Sequence, residues 1–270
     1  MLNASMKSLK HELSAISESP YFHAIKAEFE AEGTRFEELA ILNTLCTDLN
    51  ISLTLKIGGP LAQRDIIEAL QLGASSILVP MVESGYIAKS SIEQFERLNA
   101  SFGSLNRPSR IYMNIETITA VKNCEEIIEA TSISGSKPLK VLVIGRSDLA
   151  ASLDCTDAEE EKITSMAYNV IQTSKAHSIK TALGGNITQR SLENIRFLHS
   201  HGLNYYETRK CTFELPSDLD ECCFVESINR ALTFELSWLR FKNEFYQDRA
   251  TQDDQRIAKI LNRMEPLRND

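Results

Sequence analysis

Residues 110–127, RIYMNIETITAVKNCEEI, and residues 140–153, KVLVIGRSDLAASL, decide the reading of this chain. Each begins as an apolar, strand-like run and ends in an acid, Glu116 in the first and Asp148 in the second. Side chains alternate along a strand, so Asn114 shares a face with Glu116, and Arg146 shares one with Asp148 if the strand extends that far. Between the two runs, TAVKNCEEIIEA reads as a helix. Two parallel strands joined by a helix bring both carboxylates out at the same C-terminal edge of the sheet, where α/β folds bind their ligands.

Two oxygen ligands on rigid strand ends, with no cysteine or histidine beside them, suit a hard cation such as Mg²⁺, which fills its octahedron with waters and substrate oxygens. The same spacing also allows Glu116 to cap the helix that follows it and Asp148 to pair with Arg146.

Outward from this core, strand-like and helix-like segments alternate. FHAIKAEFEAEGTR sets Ile25, Ala27 and Phe29 against Lys26, Glu28 and Glu30; then come a helix over 36–49, SLTLKIGGP, a helix over 61–72, SSILVPMVES and a helix near 88–98. Beyond residue 153 follow a helix over about 157–177, KTALGGN, a helix over 189–201 and LNYYETRKC. Such alternation predicts βαβ units and a parallel sheet whose outer face the helices cover, so charged strand faces must turn into a barrel or cleft. Lys26, Glu28, Glu30, Lys56, Glu83, Glu116, Arg146, Asp148, Asn186, Glu207 and Arg209 collect at the strand ends, which implies a site at one mouth.

The expected fold is α/β, with the polar strand ends around a barrel or a cleft. Seven strands are convincing, starting at Ala24, and the N-terminal segment reads as helix. An N-terminal helix (1–21), the barrel (22–224) and two C-terminal helices (225–270) are read as one domain. The apolar stripe through Ala231, Phe234, Leu236, Trp238 and Leu239 predicts packing on a neighbouring subunit, hence a homo-oligomer.

A chain of 270 residues with 43% hydrophobic content can bury a large core. Its net charge of −8 gives no basic footprint for nucleic acid and argues against anionic membranes. No apolar signal core and no membrane-length apolar run occur, so a cytoplasmic location is expected. The six cysteines show no CxxC spacing and are read as reduced.

GASSILVPMVES, followed by IETITAVKN and IGRSDLAASL, resembles the HpcH/HpaI-type 2-oxo-acid aldolase and citrate lyase β-subunit family over roughly residues 22–210. The resemblance implies an α/β, TIM-type (β/α) barrel, with its first strand irregular or missing because the N-terminal segment reads as helix where the family's first strand stands. It also implies that Glu116 and Asp148 hold Mg²⁺ or Mn²⁺, and that the metal chelates pyruvate or a related 2-oxo acid. It implies a carbon–carbon lyase that forms or cleaves bonds to an aldehyde or acyl partner through a metal-stabilised enolate. Two departures stand out. Lys56 occupies the place of an arginine usual in the aldolases, and the histidine after an acidic strand end is absent, with Glu30 or Glu32 in its neighbourhood.

Lys56 becomes the candidate for enolate stabilisation and Glu30 for general base, unless they are only ion-paired at the rim. Lys26, Asn114, Arg146 and Arg209 are candidates for substrate binding, with a purely structural role open for the arginines. Alternatives on the same barrel are an acyl-CoA lyase or citrate synthase-like enzyme, and a non-catalytic 2-oxo-acid binding protein.

Overall fold

A computed structural model describes residues 2–102, 109–131 and 138–264. The first helix, α1 (Leu2–Ser17), leads into β1 (Phe22–Glu28), α2 (Phe36–Asp48), β2 (Ser52–Lys56), α3 (Gln63–Gln71) and β3 (Ser76–Val79). Next come α4 (Gly85–Phe102), β4 (Arg110–Ile115), α5 (Ile118–Lys122), α6 (Cys124–Ala130), β5 (Leu139–Gly145) and α7 (Arg146–Ala151). The chain continues through α8 (Glu161–Ala176), β6 (Lys180–Gly184), α9 (Leu192–Ser200), β7 (Tyr205–Glu207), β8 (Cys211–Glu214) and α10 (Glu221–Met264).

The strands close in sequence order into a barrel of eight. The seven expected strands run parallel, and among the described residues no strand precedes β1; the eighth follows β7. After β7 the chain turns back at once, and β8 pairs antiparallel with both β7 and β1. Among the described residues the barrel thus has no strand ahead of β1, as expected, and β8 closes it from the other side. The turn is short because the Thr208 N–H donates to the Cys211 carbonyl at 2.9 Å and the Cys211 N–H to Thr208 Oγ1 at 3.1 Å, so no helix intervenes.

Alternation divides the strand residues as the sequence implies. Ile25, Ala27, Leu53, Leu55, Ile77, Met113, Ile115, Leu142 and Ile144 bury outward against the helices, within the main core. Leu78, Tyr112, Val141, Val143, Ala182 and Tyr205 fill the barrel interior. This interior apolar layer is the floor of the site: Tyr112, Val143, Ala182 and Tyr205 stand two residues before Asn114, Gly145, Gly184 and Glu207, so the next inward layer is the mouth.

The C-terminal segment is one 44-residue helix rather than the two expected. Its first half buries Phe224, Ile228, Ala231, Phe234, Trp238 and Phe241, with α1 packed along it and Arg230 Nη1 donating to the Ala15 carbonyl at 2.5 Å. Leu236 and Leu239, expected in the packing stripe, are exposed, as is every side chain from Arg249 to Met264. Residues 265–270 lie outside the described residues. All six thiols are free, and burial pushes those of Cys46 and Cys124 up to about 12. Among the described residues, no helix is long and apolar enough to cross a membrane.

Candidate active site

The strand registers fix which residues meet near the mouth. Glu28 stands opposite Lys56, Ile115 opposite Ile144, Gly145 opposite Gly184 and Leu183 opposite Tyr206. One step further along, Glu116 faces Gly145, and Gly184 faces Glu207. Two carboxylates thus flank two adjacent glycines, and the glycines give them room. A Cβ on Gly145 would lie 2.8 Å from Glu116 Oε2, and one on Gly184 would lie 2.9 Å from Glu207 Oε1, both closer than real Cβ contacts come. Missing side chains on β5 and β6 therefore let the acids of β4 and β7 fold across the barrel top.

Glu116 is 1% exposed and held at both oxygens. The Met81 backbone N–H donates to Oε1 at 2.9 Å, and Asn114 Nδ2 donates to Oε2 at 2.6 Å. Lys56 Nζ lies 3.6 Å from Oε2. Met81 presents its N–H from a left-handed backbone with φ 51°, a conformation that costs a non-glycine residue about 1 kcal/mol or more. Glu116 does not cap the helix that follows; Thr117 does, its Oγ1 accepting from the Ala120 N–H. Burial pushes the Glu116 carboxyl above the usual range, Lys56 and the Met81 N–H pull it back, and Asp148 pushes it up again.

A cavity of about 420 Å³ opens above this layer, lined by Lys26, Lys56, Asn114, Glu116, Asp148 and Arg209 among the residues singled out from the sequence. Glu28 and Glu207 also line it, together with Ser147, Asn186 and Thr188 and, from α10, Leu232 and Glu235. Lys26 is buried between two acids, 2.5 Å from Glu207 Oε1 and 3.8 Å from Glu28 Oε1. Burial works against its charge, but the Glu207 and Glu28 carboxylates outweigh that and hold the ammonium above the ordinary lysine value.

Two candidates fall elsewhere. Arg146 begins α7 instead of extending β5, and its side chain, 0% exposed, turns away from Asp148. It lies 3.0 Å from Glu159 Oε2 and donates to the Gly184 and Gly185 carbonyls at 3.3 and 2.9 Å, stapling β5 to the loop after β6. It is a structural residue and does not line the cavity. Glu30 follows the end of β1 and faces an outer groove with Arg35, Gly58, Arg64 and Asp65, so it is not the residue flanked by Lys26 and Lys56 that strand alternation suggested. Glu83 is also structural, accepting from Thr117 Oγ1 at 2.7 Å. Lys56 pairs with Glu116, not with Glu28 or Glu30.

The donor set fits a hard divalent cation. Glu116 is a buried carboxylate whose charge is penalised by burial and by a second acid in the same cavity, an arrangement that a cation relieves. Beside it, Asn114 Oδ1 is buried and has no donor, so a water on such a cation would find an acceptor there. Among the described residues no three or more His, Cys, Asp or Glu side chains gather as a metal cage. Two carboxylates with water and substrate completing the shell is the Mg²⁺ habit.

The HpcH/HpaI aldolase/citrate lyase family model matches residues 55–202, more than half of the chain, and takes in β3 to β6 with both acids. The chain belongs to this family. Among curated proteins, none matches the sequence. Solved structures share the fold. An HpcH/HpaI aldolase/citrate lyase family protein from Burkholderia cenocepacia J2315 superposes with a TM-score of 0.60 at 14% identity, over 93% of this chain and 90% of that one. The citrate synthase SbnG gives 0.58 at 19% identity, over 87% and 90%. A Haloferax volcanii malate synthase gives 0.58 at 12% identity, over 75% and 62%. The family is one of aldolases and citrate lyases.

Strand reading gathered Glu28 and Glu207 to the mouth but gave them no role there, and it missed the two α10 side chains that line the cavity and the Met81 backbone that holds Glu116. Nothing in the sequence marked Leu232 or Glu235, which reach the mouth only because α10 passes over it.

Proposed function

We propose that the protein is a divalent-metal-dependent aldolase that makes or breaks a carbon–carbon bond through the enolate of pyruvate or a related 2-oxo acid. The observation that carries this is the meeting of buried Glu116 with Asp148 and Lys56 in one cavity at the C-terminal mouth of the barrel. Glu116 and Asp148 would hold Mg²⁺ or Mn²⁺, which supplies a Lewis acid for the carboxylate and keto oxygens of the 2-oxo acid.

The chain's own residues do the rest. Lys56 sets a second positive charge beside Glu116, where it favours charge developing on the enolate oxygen in the transition state. The Asn114 and Met81 N–H groups fix the Glu116 carboxylate before substrate arrives, so no reorganisation is needed as that charge appears. The C3 proton falls to Glu28. It is a nearly buried carboxylate of the cavity, and its ion-pair partner among the described residues, Lys26, is 3.8 Å away and bonded more closely to Glu207. In the condensation direction Glu28 takes this proton, the C3 electron pair attacks the aldehyde carbon, and the resulting alkoxide takes a proton back.

The test is proton NMR of pyruvate in D₂O with the protein and Mg²⁺ or Mn²⁺. Exchange of the methyl protons that depends on metal, and that Glu28→Gln slows by about 10²-fold or more, is the expected result. A wild-type protein that leaves the methyl signal unchanged with both metals refutes the reading.

A further inference from the structure

Lys26 is the most buried cation of the cavity, and it has two acids beside one charge. The acids are not equivalent. Lys26 Nζ donates to Glu207 Oε1 at 2.5 Å, whereas Glu28 Oε1 lies 3.8 Å away, beyond hydrogen-bond reach. Glu28 shares its strand face with Lys26, but Glu207 comes from β7, and the closing strand runs between them. Thr212 of β8 stands opposite Glu207 on one side and Ala24 on the other, and the Lys26 N–H donates to the Lys210 carbonyl at 2.8 Å. The acid of β7 and the lysine of β1 therefore meet across β8, and the glycine at position 184 gives the acid its room.

This division of partners matters to a base. A carboxylate that carries a buried ammonium gives up proton affinity, because taking a proton would strand the cation. Lys26 stays charged, since the Glu207 and Glu28 carboxylates outweigh its burial. If the Glu207 charge is removed, the nearest carboxylate left to that ammonium is Glu28. The other charges around Glu28 are engaged: Lys56, opposite it on β2, leans on Glu116, Arg209 is paired with Glu235, and Lys210 at the start of β8 is paired with Glu32.

We infer that Glu207 is a positioning residue of the reaction: it draws the Lys26 ammonium off Glu28, so that Glu28 meets the substrate as a carboxylate free to take the C3 proton. The inference rests on the enolate reading above and adds a residue that reaches the chemistry only through Lys26. The plainer role for the same pair is a clasp that holds β7 to β1 across the closing strand.

The experiment follows methyl exchange of pyruvate in D₂O against pH, at saturating Mg²⁺, in the wild type, Glu207→Gln, Lys26→Met and the double variant. The metal adds its charge to all four alike. Glu207→Gln leaves Lys26 to Glu28 alone, so the acid limb of the profile should move to lower pH by about one unit and the plateau rate should fall about tenfold. Lys26→Met leaves the two acids without their cation, so its limb should move to higher pH by about one unit. The double variant removes a neutral pair and should return the limb to its place and the rate to within about threefold of wild type. A clasp predicts instead a lowered Tm with both limbs unmoved. The position of a limb does not depend on the fraction of folded enzyme, so a destabilised variant still reports. Unmoved limbs in the single variants, or a double variant no faster than Glu207→Gln, overturn the inference while wild-type exchange stands. Absence of wild-type exchange overturns the enolate reading and this role together.

Discussion

Replacing Lys56 by methionine tests the least usual feature of the site. Its ammonium stands 3.6 Å from Glu116 Oε2, with 18% and 1% of the two side chains exposed. At the effective dielectric that describes most protein ion pairs, such a separation corresponds to an attraction of about 4.6 kcal/mol. The stability lost on Lys56→Met should be smaller, about 1–3 kcal/mol, because Glu116, already held above the usual carboxylate range, escapes by taking up a proton. That loss lowers Tm by roughly 2–10 °C for a chain of this size.

Two further readouts separate chemistry from packing. If Lys56 stabilises charge present mainly in the transition state, kcat and kcat/KM for methyl exchange should fall together by about 10²-fold or more. Mn²⁺ should bind more tightly at pH 8, since a cation beside Glu116 has been removed. Lys56→Arg should not restore the rate, because the planar guanidinium needs space that the ammonium site does not offer. A variant with lowered Tm but exchange within twofold of wild type would show Lys56 to be a structural partner of Glu116 and refute the reasoning.

Glu116→Gln and Asp148→Asn should each abolish measurable Mn²⁺ binding by calorimetry while the circular dichroism spectrum stays that of the wild type. Arg146→Met should cost about 3–5 kcal/mol in urea unfolding, since it strands Glu159 and the Gly184 and Gly185 carbonyls; a changed KM at unchanged stability would contradict its structural role. Burial holds the His23 imidazole below its ordinary value, with Lys180 and Arg110 adding to the effect and Glu214 opposing it. The folded state thus favours neutral His23, and its contribution is complete above the unfolded pKa of about 6.5 and is lost as pH falls through the lowered folded value. His23→Phe should flatten the decline of Tm in that window. Light scattering at micromolar concentration should show an oligomer, because Ile257, Ile260, Leu261 and Met264 form an exposed apolar stripe on the free end of α10; a clean monomer would count against it.

Much of the barrel was legible in the residues themselves. Strand alternation is local, so Ile25 and Ala27 against Lys26 and Glu28, or Asn114 beside Glu116, could be sorted into outer and inner faces without knowing the fold. The place where each strand stops is not local. Parity carried Arg146 and Glu30 into the mouth, but β5 ends at Gly145 and hands Arg146 to a helix, while β1 ends at Glu28 and the chain turns, Gly33 N–H to the Glu30 carbonyl, out of the sheet.

Closure was decided only in three dimensions. A barrel needs its first strand to meet its last, and the segment CTFE satisfies that need by running backwards between β7 and β1, a pairing between residues nearly 190 positions apart. The same holds for the wall that α10 lends to the cavity. Leu232 and Glu235 read as ordinary positions on an amphipathic helix, and their place at the mouth comes from how that helix packs on α1 and the barrel. The sequence by itself determined the acids, the parity and the βαβ order, because these depend on neighbours within a few residues. Tertiary structure decided which charged groups share the cavity, because that depends on strand ends, helix paths and the two glycines that let Glu116 and Glu207 fold inward.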